Sequence, residues 1–151
     1  MKKQIKTEAL LKVFNVLNGA KYGKMDDADK IRVFKIVRKL KPIAEAFEDE
    51  SKDAAEKLKF EGFDTLLEKA KEYEAKVKKE GEELPMTAEE YNKFISDFKD
   101  YNKLVGEAIK EFAERENELD FDGITEDAFN KLMNSNDWTF GQAAALEVII
   151  I

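Results

Sequence analysis

The side chains available for chemistry in this chain are carboxylates, lysines, hydroxyls and amides, because its 151 residues include no histidine and no cysteine. The usual zinc, haem, thiol-nucleophile and imidazole-base sites therefore cannot be built. Acid pairs such as Asp26 and Asp29 are close on a helix, but such pairs are ordinary surface in a chain with 33 Asp and Glu. The sequence contains no glycine-rich phosphate loop and no serine elbow. We predict a protein that is not an enzyme and that uses no metal or cofactor.

One acidic run has a possible metal-binding pattern. From Glu118 to Gly123 it shows the spacing of a calcium loop, with glycine at position six. Position twelve, which supplies a bidentate glutamate in such loops, is Phe129. A polar turn from Asn117 to Gly123, followed by a helix whose N-terminus favours acidic residues, explains the same pattern. We predict the turn and expect no calcium site.

Charge is distributed unevenly along the chain. Residues 1–41 carry 12 Lys or Arg against 4 acids, and residues 42–151 carry 14 against 29, so the two parts have net charges of +8 and −15. Four of the early cations, Arg32, Lys35, Arg38 and Lys39, form a basic stripe that could grip phosphates. The preferred interpretation is that the stripe pairs with an acidic helix of the same chain. A third interpretation is that the acidic part mimics DNA.

The C-terminal residues Val148, Ile149, Ile150 and Ile151 are four consecutive β-branched apolar residues. Exposed, they would promote aggregation, so they must be covered. We expect them to dock on the protein's own core beside the first helix. A dimer or partner interface is the alternative. Their backbone fits a helix or a strand, and we predict helix.

Apolar residues at helical intervals predict most of the elements. The predicted helices are Glu8 to Asn18, a long second helix from Asp26 or Asp27, Phe63 to about Lys79 after a break at Gly62, Ala88 onward, a short helix capped by Thr125 and ending near Met133, and Gln142 to Ile151. The seam of the second helix comprises Val33, Val37, Leu40, Ala44, Phe47, Ser51, Ala54 and Leu58.

Local signals refine several positions. Thr7 is a plausible N-cap of the first helix, and Thr87 with Glu90 forms a capping box for the fourth. Pro42 should kink or break the second helix. Gly106 permits another backbone to pass close to the fourth helix.

These elements predict an all-α protein forming one helical domain over residues 1–151. Its base is an antiparallel, coiled-coil-like hairpin of the long second and fourth helices, with the third helix beside them. The first helix and a short C-terminal helical piece close one end. The interrupted apolar pattern of residues 1–20 does not fit a secretory signal, and no stretch is long enough to span a membrane. We therefore expect a cytoplasmic protein.

The run from Ile124 to Ala144 resembles the C-terminal part of small acidic helical proteins of unknown function encoded by tailed phages and prophages. The matching positions are Leu132, Ser135, Gly141 and Gln142, with Phe140 where the family tends to have a small polar residue. The resemblance implies a phage or prophage origin and a binding or assembly role. It supplies no activity and no functional residues.

The function expected is therefore that of a non-enzymatic protein-interaction or assembly protein with a protein partner, or with a second copy as a homodimer. The alternative is a nucleic-acid-binding accessory protein that uses the basic stripe of the second helix.

Overall fold

The computed structural model describes residues 2–151 and shows a mostly helical protein with one small sheet. Its elements are β1 (Lys2–Lys6), α1 (Thr7–Asn18), α2 (Asp27–Lys57), α3 (Phe63–Lys76), α4 (Ala88–Glu114), β2 (Glu116–Asp120), α5 (Glu126–Ser135), α6 (Phe140–Ala145) and a 3₁₀ turn (Leu146–Ile149). The helical class is confirmed, and the sheet is an addition that the sequence did not predict. None of the described helices is long and apolar enough to cross a lipid bilayer.

The chain divides into two compact units. The first contains the residues up to Glu50 together with Glu111–Ile151, and the second contains Ser51–Lys110. The single domain over residues 1–151 and the full-length hairpin of α2 with α4 remain predictions.

β2 replaces part of the predicted polar turn from Asn117 to Gly123. β1 pairs antiparallel with β2, with Lys2 opposite Asp120 and Lys6 opposite Glu116. Two of the three acids of β2 therefore stand across from lysines, and the third, Glu118, is opposite Gln4; opposite charges across the strands stabilise the pairing. Because residues alternate between the two faces, Ile5 is buried while its neighbours on β1 are not. Of the calcium-like acidic spacing, Glu118 and Asp120 are exposed residues of β2, and Asp122 follows the strand.

The core of the first unit joins segments from both parts of the sequence. Its buried residues are Ile5, Leu10, Val13, Leu17, Met25, Val33, Ile36, Leu40, Phe121, Ile124, Ala128, Leu132, Leu146 and Ile149. Leu132, Leu146 and Ile149 are at most 1% exposed. α1, α2, α5 and the C-terminal segment are therefore held together by one apolar cluster.

Aromatic side chains dominate the second unit. Ala70, Tyr73, Met86 and Phe94 are its buried centre. The rings of Tyr73 and Tyr91 stack with centroids 4.4 Å apart, and those of Phe63 and Tyr101 lie 4.7 Å apart. Such ring pairs add to the stabilisation that apolar burial provides. α3 and the part of α4 up to Lys110 therefore pack against each other through these rings.

Several helix ends follow the local signals. The Thr87 hydroxyl accepts a hydrogen bond from the Glu90 amide at 3.0 Å, and the Glu90 carboxylate accepts one from the Thr87 amide at 3.4 Å, which confirms the capping box. Thr125 caps α5 as predicted. Thr7 is not an N-cap: it is the first residue of α1, and Lys6 occupies the cap.

Three features of the long helices differ from the sequence predictions. α2 continues through Pro42 without a break, and Pro42 is exposed. A Cβ at Gly106 would meet nothing within 4 Å, so no backbone passes close there. Ile36, which is not part of the predicted seam, is buried, whereas Leu58 lies beyond the end of α2 at Lys57 and is exposed.

Candidate functional site

The side of α2 that faces away from the core carries two large exposed apolar residues. Ile31 is 54% exposed and Phe34 is 64% exposed, whereas Val33, Ile36 and Leu40 of the same helix are buried. Because a helix turns once in about 3.6 residues, Ile31, Phe34, Lys35 and Arg38 lie on one side of it. We call these four residues the α2 outer face. Its apolar pair contributes nothing to the core.

Two cations of the outer face are free of ion pairs. Lys35 and Arg38 are exposed, and neither takes part in any salt bridge that the structure shows among residues 2–151. The expected pairing with acidic α4 is therefore not seen for Lys35 or Arg38 among residues 2–151. The outer face combines apolar contact area with unneutralised positive charge.

Three of the four predicted cations meet at one place on α2. Arg32, Lys35 and Lys39 line a small cleft of about 70 Å³ with Phe121 and Asp122. The Lys39 ammonium donates a hydrogen bond to the backbone carbonyl of Asp120. Arg32, Lys35 and Lys39 therefore lie side by side, and Arg38 lies next to them on the exposed side of α2.

The C-terminal segment docks on the first unit, as expected. Ile149 is 1% exposed and belongs to the same cluster as Leu10 and Leu17 of α1. The Ile124 amide donates to the Ile149 carbonyl at 2.8 Å, and the Ile151 amide donates to the Ile124 carbonyl at 2.9 Å. Predicted as helix, the segment is a 3₁₀ turn up to Ile149, followed by a parallel bridge between Ile124 and Ile150.

Part of that segment remains accessible beside α5. Phe129, Ile150 and Ile151 contribute the apolar lining of a groove of about 600 Å³, and Ile151 is 61% exposed. Glu126, Asn130 and Glu147 complete the lining. We call it the α5–tail groove. Neither glutamate takes part in a salt bridge that the structure shows within residues 2–151. The groove therefore has a mixed lining of three apolar and three polar residues, two of which are glutamates.

Asp26, one of the paired acids of the sequence, has a structural role at the start of α2. Asp26 accepts a hydrogen bond from the Asp29 amide at 2.9 Å, and this bond, assisted by Lys131 and Arg32, lowers the pKa of Asp26. Asp26 thus caps α2. Within residues 2–151 no three acidic side chains are grouped so that they could hold a metal ion.

A second concavity of the first unit lies where α2 passes Pro42. It has a volume of about 220 Å³, and Ile43, Phe47 and Phe112 supply much of its apolar lining. The Arg115 guanidinium, which also lines it, is 2.9 Å from the Glu50 carboxylate, so its charge is already satisfied. This cavity offers packing space and no set of converging reactive groups.

No known protein family matches the chain, and no curated protein and no solved structure shows significant similarity to it.

The apolar pair of the outer face was missed in the sequence, although a signal was present. Ile31 and Phe34 are three residues apart and lie opposite Val33 and Leu40. A helix that is apolar on two sides has one side more than a single core requires. The second apolar side of α2 therefore indicated a contact surface.

Proposed function

We propose that this chain is a non-enzymatic protein-interaction or assembly protein that binds its partner through the α2 outer face. The observation that carries the proposal is the exposure of Phe34 and Ile31 on a helix whose opposite side fills the core. A cytoplasmic location and a phage or prophage origin belong to the same proposal. The origin is supported by the resemblance of the C-terminal run.

Residue chemistry supports a protein partner. Aromatic side chains and arginine are enriched at the energetic centres of protein interfaces, and Phe34 and Arg38 lie one helical turn apart. Burial of Phe34 and Ile31 by a partner would remove their apolar surface from water, which favours binding. Lys35 and Arg38 would favour a partner with an acidic surface.

A matched pair of variants tests this proposal. Phe34→Ser and Phe140→Ser each remove one exposed ring, and Phe140 is 90% exposed on a different element, α6. A photoreactive phenylalanine at position 34 should cross-link a defined protein in native extract, whereas the same probe at position 140 should not. Phe34→Ser should abolish co-purification of that protein, and Phe140→Ser should retain it. Equal recovery with both variants would contradict the proposal.

Nucleic-acid binding is the second candidate, because Arg32, Lys35, Arg38 and Lys39 are all exposed. Phosphate contacts predict an affinity that falls steeply with salt. Substitution of all four residues by Gln should abolish a mobility shift seen with the wild type at low salt. No shift with the wild type would end this candidate.

A further inference from the structure

The first unit exposes two surfaces of opposite charge, and each carries accessible apolar side chains. The α2 outer face presents Ile31 and Phe34 beside the cations Lys35 and Arg38. The α5–tail groove presents Phe129, Ile150 and Ile151 beside Glu126 and Glu147, and its volume of about 600 Å³ leaves room for an aromatic ring. Neither pair of charges is neutralised by a salt bridge within residues 2–151.

We infer that the partner of the α2 outer face is a second copy of this chain. Phe34 of one copy enters the α5–tail groove of the other, and Glu126 and Glu147 of that groove face Lys35 and Arg38. The inference rests on the proposed function and names the partner. Like charges meeting across an interface would oppose the contact, whereas here each side offers the sign that the other lacks. Because the two surfaces differ, the contact is heterologous. It occurs twice in a closed pair or repeats in a longer assembly.

Charge reversal on either surface provides the test. One variant carries Lys35→Glu with Arg38→Glu, and the other carries Glu126→Lys with Glu147→Lys. Each variant alone would bring like charges together, so each should sediment as a monomer under conditions in which the wild type associates. An equimolar mixture should associate again, since each variant then supplies the sign that the other needs. Lys93→Glu with Lys99→Glu, at exposed positions of α4, makes the same change in net charge as Lys35→Glu with Arg38→Glu and should associate like the wild type.

Sedimentation velocity over a range of protein and salt concentrations gives the readout, with far-UV circular dichroism verifying that each variant is folded. Phe34→Ser, at an exposed position, should raise the self-association constant Kd at least about tenfold. A wild type that stays monomeric at concentrations on the order of 10⁻⁴ M overturns the inference. So does a mixture that fails to associate. Cross-linking from position 34 to a different protein would then leave the proposed function standing, so the two failures are distinguishable.

Discussion

Thr7 shows how one side chain can take a role that its local sequence does not indicate. It is 6% exposed, and its hydroxyl donates to the Arg115 carbonyl at 3.2 Å and accepts from the Asn117 amide at 2.8 Å. Its own backbone amide also donates to the Arg115 carbonyl, at 2.8 Å. Thr7 therefore ties the start of α1 to the start of β2, which a helix cap would not do.

Thr7→Val should lower the free energy of unfolding by about 1 kcal/mol, because valine preserves the volume and leaves the Asn117 amide with weaker partners. Urea denaturation measures the change. Thr65→Val, at an exposed position of α3, should stay within about 0.5 kcal/mol of the wild type. Equal effects of both substitutions would show that the Thr7 hydroxyl does not contribute to the free energy of unfolding.

Asp26 gives the stability of α2 a dependence on pH. Its pKa is lowered chiefly by the Asp29 amide. Because the folded pKa lies below the unfolded one, its stabilisation is fully present above the unfolded value, and it is lost as the pH falls through the folded value. Asp26→Ala should therefore reduce stability at neutral pH, and this deficit should shrink as the pH falls through the folded pKa of Asp26. Urea denaturation of both proteins at neutral and at acidic pH measures this. A deficit that does not shrink on acidification would refute it.

At the scale of elements, glycine is favourable at one helix end of this protein and unfavourable inside a helix. Gly62 precedes α3 with φ +75°, a conformation that other residues adopt at a cost. Gly106 lies inside α4 with open space where a Cβ would stand. The two positions therefore form a matched pair.

Gly62→Ala should destabilise the protein by about 1–2 kcal/mol, since alanine is strained in the left-handed region. Gly106→Ala should stabilise it by about 0.5–1 kcal/mol through its higher helix propensity. Thermal denaturation of both variants gives the comparison. Destabilisation by Gly106→Ala would indicate a close neighbour that the present geometry does not contain.

The C-terminal segment belongs to the core of the first unit. Deletion of Val148 to Ile151 removes Ile149, whose burial contributes about 1.5–3 kcal/mol, together with the two backbone hydrogen bonds to Ile124. The shortened protein should melt well below the wild type or aggregate. Ile151→Ser, which keeps the backbone and changes a 61% exposed side chain, should melt close to the wild type. A shortened protein with unchanged melting would assign the segment to a partner contact instead.

At the scale of the whole molecule, two compact units share two uninterrupted helices, because α2 and α4 each contain residues of both. Unfolding of either unit must unravel part of a helix that the other contains, and helices lose stability as they shorten. This continuity favours a single cooperative transition.

Trp138 provides the measurement, since it is the only tryptophan and packs against the core of the first unit. Its fluorescence and the far-UV circular dichroism of all helices should follow coincident urea transitions. Two separated transitions would show that the units unfold independently and that the single-domain prediction is wrong.

The sequence by itself determined the helical class, the caps at Thr87 and Thr125, and the need to bury the C-terminal apolar residues. Each of these follows from interactions within a few residues or from composition. Only the tertiary structure decided that Lys2–Lys6 pairs with Glu116–Asp120, because those segments are more than a hundred positions apart and too short to have a clear pattern. It also decided which apolar side of α2 is buried. Val33, Ile36 and Leu40 meet a core assembled from distant helices, whereas Ile31 and Phe34 face away from it and remain available for a partner.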